Sequence, residues 1–489
     1  MPQLTNEERS FFTLVHQAVA ANPFSEARAA LDLKIAGRYG QENPQRNVQE
    51  TIDEVRHRIG QLEKDDRARL DRYQGRDREW VQNAFLFDVF HRFIPHFDQL
   101  IADQLLDDGP AMRVAFAADA MELLRQRGFS DESACRCFEL FFQMRRAYYF
   151  IQQNIVGRSA GMVKLRERLW NNVFTHDIDL YNQYLWNRME DFSTLILGPT
   201  GAGKGTCAAA IGRSGYIPFD QKRACFVESF NQAFISLNLS QFSETLIESE
   251  LFGHKKGAFT GAVENYPGVF LRCSPFGSIL LDEIGELSQP LQIKLLQVLQ
   301  ERTFRPVGGH ETQRFPGRVI AATNRPLTQL REGGLLRDDF YYRLCSDIIS
   351  VPSLSQRIRE DRRELTDLLA HTVARILGRP SAELTAMIEA QIVHRPGVDY
   401  AWPGNVRELE QCVRRILIHR HYDAASLPAP DKLDARLQQG IASGDIDAQS
   451  LISGYCRLLY QRHGTFEAVA KRARLDRRTA KKYIEQARQ

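Results

Sequence analysis

The run Gly198-Pro199-Thr200-Gly201-Ala202-Gly203-Lys204 follows an apolar tetrapeptide, Thr194–Leu197, and precedes a small-residue stretch that reads as helix. Glycines in such a turn let backbone N–H groups wrap a phosphate. The helix N-terminus behind the turn favours negative charge, and the lysine reaches the terminal phosphates. Gly205 stands where a serine or threonine commonly offers a hydroxyl to Mg²⁺, and Thr206 follows it. Further on, Ile279-Leu280-Leu281 ends in Asp282-Glu283. Adjacent carboxylates at the end of a buried strand are costly without a cation. Asp282 is therefore the candidate ligand for Mg²⁺, directly or through water, and Glu283 the group that polarises an attacking water. A glycine-rich turn and a surface acidic pair are the bland alternatives. Together the two motifs outweigh them and specify hydrolysis of ATP or GTP without choosing the base.

The elements that must position these groups read as a parallel sheet wrapped by helices. From Thr194, short β-rich runs (TLILG, AFISLN, SILLD, GRVIAATN) alternate with helical stretches. After Pro352 the chain turns helical through Trp402–Leu409 to about His421, and Ser426–Leu433 reads as a linker. Residues before about 150 read as helical throughout. Ile52, Val55, Ile59 and Leu62 recur at helical spacing over too short a stretch for a coiled coil. Phe85, Phe87, Phe90, Phe93 and Phe97 form one aromatic cluster, and Phe138, Phe141, Phe142, Tyr148, Tyr149 and Phe150 another. Core packing or a subunit contact is the expected use of these rings, with a ligand pocket the sharper alternative. His91 and His96 read as helix histidines rather than metal ligands.

Length and composition agree with this division. A chain of 489 residues predicts several domains, and a net charge of +3 confines any nucleic-acid role to a local patch. Eight scattered cysteines, with Cys135 and Cys137 the one close pair, point to reduced thiols rather than zinc. Neither a signal pattern nor a membrane-length apolar run is present, so a cytoplasmic protein is expected.

Between the two nucleotide motifs lies Gly257-Ala258-Phe259-Thr260-Gly261-Ala262. Two glycines permit a mobile excursion, with a phenyl ring and a hydroxyl expected exposed at its tip for insertion against a partner. In that setting GAFTGA resembles the signature loop of bacterial enhancer-binding proteins, AAA+ activators of RNA polymerase carrying sigma-54. ESELFGHKKGAFTGA, LLDEIGEL, FRPVGG, VIAATN, LRDDFYYRL and WPGNVREL match that family in order between Ile155 and about Ile418. The resemblance implies roles by position. Asn238 would restrain Glu283, and Asn324 would sense the γ-phosphate or the water. Arg337 and Arg343 would be arginine fingers offered to a neighbouring subunit of a ring, likened to a hexamer, and Arg407 a second sensor in the lid. Gly257 to Ala262 would contact sigma-54 on promoter DNA. Departures are Pro199, Gly205 and Lys255, a loosened SLSQRIRED, and two apparent insertions at His176–Glu190 and about Tyr216–Ser229.

Residues Gly464–Gln489 carry eight basic against three acidic side chains. FEAVAKRA, a turn, and RRTAKKYI read as two short helices and resemble a Fis-type helix-turn-helix. Arg477, Arg478, Thr479, Lys481 and Lys482 are candidates for contact with double-stranded DNA. Arg474 holds the turn position usually given to glycine. The expected architecture is thus multidomain: a helical N-terminal regulatory domain of unrecognised family (1–153), an AAA+ α/β P-loop core (154–352), a helical lid (353–422), a linker (423–446) and the helix-turn-helix (447–489). The implied function is a sigma-54-dependent activator using ATP and Mg²⁺. A remodelling ATPase with another protein target, and a DNA-binding regulator with a decayed ATPase, are the competing readings.

Overall fold

The computed structural model describes residues 4–37, 44–107, 109–394, 396–397, 400–420, 422, 437 and 446–486. The linker expected at 423–446 lies outside the described residues, apart from 437 and 446. Two compact units result: Met1–Glu389 with Asp399–Leu417, and Ala390–Val398 with Ile418–Gln489.

In the first unit the chain opens with α1 (Asn6–Ala20), α2 (Glu26–Ile35), α3 (Pro44–Lys64) and α4 (Gly75–Leu106). It continues with α5 (Ala117–Gln126), α6 (Asp131–Asn154) and α7 (Ala160–Phe174). A capping box starts α1: Thr5 accepts from Glu8 N while the Glu8 side chain accepts from Thr5 N. Val55, Ile59 and Leu62 of α3 are buried as their spacing requires. Most of the expected rings are core, including Phe85, Phe87, Phe97, Phe138, Phe142 and Phe150.

A five-stranded parallel sheet follows, ordered β2-β3-β4-β1-β5, from β1 (Thr194–Leu197), β2 (Phe234–Asn238), β3 (Ser278–Asp282), β4 (Arg318–Thr323) and β5 (Asp347–Ser350). Its central strands are buried on both faces, which explains their unbroken apolar runs. One face, with Leu195, Ile279, Leu281 and Val319, packs on α10 (Gln289–Glu301) and α11 (Asp338–Leu344). The other, with Ile196, Leu280 and Ile320, belongs to the same buried cluster as Phe12, Phe85 and Phe138. The expected boundary near 153 therefore falls inside one continuous core.

The two apparent insertions supply much of that junction. Phe219 and Phe226, from a pair of two-residue antiparallel strands, meet the α6 rings: Phe226 stacks on Phe142 at 4.2 Å and Phe219 meets Phe138 edge-on at 5.1 Å. From the other insertion, Tyr181 and Gln143 of α6 exchange hydrogen bonds at 2.7 and 3.0 Å, and Arg136 lies 3.9 Å from the Trp186 ring centroid. Arg146 of α6 donates to the carbonyls of Arg213 and Gly215, just past the end of α8 (Lys204–Gly212). The Arg213 carbonyl, at the C-cap, is one that a helix end leaves without an intrahelical partner. Burial lowers the Arg146 guanidinium to about 9.

The second unit contains α14 (Ala448–His463), α15 (Phe466–Ala473) and α16 (Arg477–Gln486), packed around Cys456, Leu459, Val469, Ala480 and Ile484. Arg474 turns the chain between α15 and α16 at φ 54, ψ 42, in the left-handed region as its position required.

Candidate nucleotide-binding site

At the C-terminal ends of the parallel strands a cleft of about 680 Å³ opens, where an open α/β sheet places its ligands. Lys204 stands at the first turn of α8. Gly203 before it sits at φ 107 and Gly201 at φ 77, both left-handed, so these two glycines are needed by the turn. Lys204 Nζ donates to the carbonyl of Gly198 at 3.0 Å. Burial lowers its pKa, while Glu283 and Asp282 pull it back up. The lysine thus rests folded into the turn, opposite two carboxylates.

The Walker-type carboxylates come from the end of β3. Glu283 adopts φ 58, ψ 48, a left-handed conformation that costs a non-glycine residue about 1–2 kcal/mol. Its N–H donates to Asp282 Oδ1 at 3.0 Å, and its Oε2 accepts from Asn324 N at 3.3 Å. Asn324 Nδ2 in turn donates to Thr200 Oγ1 of the glycine-rich turn at 3.0 Å. Asn238 pairs with Asp282 across β2 and β3 but does not bond to Glu283. The reason is local: its Oδ1 accepts from Ser240 N and Ser240 Oγ, capping the turn after β2. In this conformation the Glu283 carboxylate is met by the Asn324 backbone rather than by Asn238.

The lid closes the cleft from above. The side chain of Gly201 could not be anything larger, because a Cβ there would lie 2.2 Å from the Gly404 carbonyl. Val406 N donates to Gly201 O at 3.1 Å. Asn405, which opens α13 (Asn405–His419), donates from Nδ2 to Thr200 O at 2.9 Å and accepts at Oδ1 from Leu354 N at 2.8 Å. Asn405 was not among the sequence candidates. Its signal was the tight turn of WPGN, since it sits at φ 53. A second missed residue is Arg357, whose buried guanidinium donates to Glu364 at 2.9 Å and to the Val156 carbonyl at 2.5 Å. It fixes the strip Ile155–Val156 that lines the apolar end of the cleft with Met162, Leu165 and Leu368.

The cleft gathers Thr200 to Thr206, Asn238, Asp282, Glu283, Asn324 and Arg407. It does not include Arg337, which pairs with Asp339 at 2.8 Å, or Arg343, whose Nε donates to the Leu299 carbonyl at 3.0 Å. Among the described residues no three acidic, histidine or cysteine side chains form a metal cage. A hard-oxygen site with Asp282 and Glu283 as its acidic groups suits Mg²⁺, which keeps several waters and shares phosphate oxygens.

The GAFTGA segment is a tight excursion after α9 (Glu244–Phe252). Gly257 N donates to Ala262 O at 2.8 Å, with Gly257 at φ 82 and Gly261 at φ 105. Ala258 packs against Gly308, where a Cβ would come within 2.8 Å. Thr260 is exposed, but Phe259 is half-buried, edge-on to His254 at 4.9 Å. The expectation of an exposed phenyl ring is therefore corrected: in this conformation His254, itself stacked on Tyr266, shelters it. The exposed apolar side chain here is Val263, at 72%.

On α16, Arg477, Arg478, Lys481 and Lys482 are exposed, and Arg477 pairs with Glu467 at 2.8 Å. Thr479 is half-buried and its hydroxyl bonds Asp476, whose Oδ1 also accepts from Arg478 N at 2.9 Å, so this threonine is part of the helix cap.

Comparison with known proteins matches residues 178–350 to the sigma-54 interaction domain family. The Nif-specific regulatory protein of Azotobacter vinelandii is 43% identical over 233 residues, 48% of this chain and 40% of that protein. The Nif-specific regulatory protein of Klebsiella pneumoniae is 42% identical over 264 residues, 54% and 44% of the two chains. Regulatory protein AtoC of Escherichia coli is 36% identical over 252 residues, 51% and 50%. The chain thus spans about half the length of the curated relatives it matches. No helix among the described residues is long and apolar enough to cross a membrane. Residues 178–350 are thus similar to the sigma-54 interaction domain.

Proposed function

We propose that this protein is a sigma-54-dependent transcriptional activator that hydrolyses ATP in a ring, a hexamer by resemblance, to remodel the closed promoter complex. The observation that carries the reading is the convergence of Lys204, Asp282, Glu283 and Asn324 on one cleft, on the same chain as GAFTGA. Backbone N–H groups from Gly201 to Lys204 would hold the phosphates, with Lys204 swinging from the Gly198 carbonyl to the terminal pair. Mg²⁺, when bound beside Asp282, would neutralise charge developing on the phosphates. Glu283 would then leave Asn324 N and orient the water. Arg407 would follow the nucleotide from the lid.

Arg337 and Arg343 lie outside the cleft of their own chain, which suits fingers offered to a neighbouring subunit; such a finger is worth about 10³–10⁵ in rate. Nucleotide state would move residues 257–262 against sigma-54, releasing Phe259 from His254. Arg477, Arg478, Thr479, Lys481 and Lys482 would hold upstream double-stranded DNA, with Thr479 acting through the cap of α16. Residues 1–153 would be regulatory, and the protein cytoplasmic, nucleoid-associated when bound to DNA.

The test is a filter-binding or crosslinking assay of the full chain with DNA, core polymerase and sigma-54 in the presence of a transition-state analogue of ATP. A nucleotide-dependent complex with sigma-54 supports the reading. ATP hydrolysis with no such complex would favour a remodelling ATPase with another target.

A further inference from the structure

A second cavity, of about 300 Å³, lies in the N-terminal region and has no part in the chemistry above. That size is at the lower end of small-molecule pockets. Helices α1 to α4 and α6 surround it, and Trp170 of α7 and Asn182 of the first insertion close it from the ATPase side. Leu86, Phe90, Leu140, Met144 and Tyr148 pack on the core yet remain only partly buried. Well-packed interiors leave few such voids, since apolar atoms facing one lose their dispersion contacts.

The charged groups inside the wall, Arg28, Asp32 and Arg145, are already matched. Arg28 pairs with Asp32 at 3.0 Å and donates to the Ala18 carbonyl; Arg145 makes a two-pronged pair with Asp98 at 2.6 and 2.7 Å. Asp179 stands exposed at the rim. Two uncharged acceptors are not matched. His91 Nδ1 lies 2.8 Å from the Phe87 carbonyl, which can only accept, so Nδ1 carries the proton and Nε2 is a bare acceptor when the ring is neutral. Burial keeps it neutral, lowering its pKa to about 3. Asn182 Oδ1 is buried and has no hydrogen-bond partner.

We propose that this cavity binds a neutral, largely apolar small molecule whose hydroxyl or N–H groups donate to His91 Nε2 and Asn182 Oδ1. The matched charges inside the wall, with Asp179 left at the exposed rim, argue against an ionic ligand, and a wall of rings and aliphatic chains favours a planar one. Occupancy reaches the nucleotide cleft because α6 and α7, which wall the cavity, also pack on α8, the helix that begins at Lys204. That last step rests on the ATPase reading; the binding site does not.

The full chain is titrated with 2-naphthol by calorimetry, and ATP turnover is followed in parallel. One molecule should bind per chain, saturably. 2-Methoxynaphthalene keeps the rings but lacks the donor, and should bind about tenfold more weakly. His91→Phe should shrink that difference at least about threefold. Leu140→Trp, and independently Leu86→Phe, should fill the cavity and abolish binding while melting as cooperatively as the native chain. Saturation should change turnover at least about twofold. Absence of saturable 2-naphthol binding overturns the site, as does full-strength binding in whichever filled variant folds. Equal affinity for the two compounds overturns the donor assignment, and binding without a change in turnover overturns the coupling. A protein that binds 2-naphthol but hydrolyses no ATP counts against the proposed function and leaves the cavity standing.

Discussion

Two chambers of the first unit are built on opposite physical principles. The nucleotide cleft is larger, about 680 Å³, and is walled by backbone amides, a lysine and two carboxylates at strand ends. The N-terminal cavity, about 300 Å³, is walled by rings and aliphatic chains with a few neutral acceptors. The first gains its specificity from charge held in a fixed frame, the second from shape and burial. Between them stand α6 and α7, and the two segments that looked like insertions are what hold α6 against the sheet. A departure from a family pattern is here a structural joint. The contrast teaches where regulation can enter: anything that shifts α6 against α8 is felt at the helix carrying Lys204.

If the cleft works by positioned charge, its variants should remove chemistry and leave the N-terminal cavity untouched. Arg337→Ala should have the largest effect, lowering ATP turnover about 10³-fold or more while nucleotide binding persists. Turnover within a few-fold of native would take this arginine out of the catalytic set. Glu283→Gln should follow, with turnover lowered about 10²–10⁴-fold and ATP retained on the protein; normal hydrolysis would remove Glu283 from its role. In both variants 2-naphthol affinity should be unchanged, which sharpens the separation of the chambers.

The next two changes are smaller and test the frames themselves. Asn405→Ala strips the lid of its bonds to Thr200 and Leu354 and should cost about 1–3 kcal/mol. Thermal melting should reveal it, together with weaker ATP binding; an unchanged melting temperature would mean that the lid is held elsewhere. The smallest effect concerns pH. Burial first, then the charges of Arg28, Arg145 and Arg56, hold His91 at about 3 in the folded chain, against about 6.5 unfolded. A depressed histidine contributes stability that is fully present above about pH 6.5 and is lost as pH falls toward 3. His91→Phe should therefore flatten the fall in melting temperature between pH 7 and pH 5. A slope equal to that of the native chain would show that His91 is hydrated.

The cleft was readable because its chemistry is encoded contiguously. Gly198 to Lys204 and Ile279 to Glu283 each carry their own geometry, and the parallel sheet follows from three buried apolar runs and the half-buried AFISLN. What the sequence hid was carried by contacts distant along the chain. Asn405 meets Thr200 across 205 positions, and Arg357 meets Val156 across 201. Asn238 ends its strand beside Asp282, but a neighbouring serine takes the oxygen that the resemblance assigns to restraining Glu283, and no strand pattern records that competition. A loop tip implies an exposed Phe259, and His254 five residues earlier provides a shelter that spacing alone does not announce. The N-terminal rings were correctly expected in a core, but their sharing that core with the sheet depends on Phe219 and Phe226, which the sequence showed only as extra length.

The central claim is that ATP turnover in the cleft drives promoter opening through residues 257–262. It is tested most directly by ATP-dependent open-complex formation on a sigma-54 promoter, comparing the full chain with Thr260→Ala at matched hydrolysis rates, each with and without saturating 2-naphthol. The account predicts that the native chain opens the promoter in at least one of these conditions and that Thr260→Ala opens it in neither while still hydrolysing ATP. Opening by both proteins, or by neither despite hydrolysis, would contradict it.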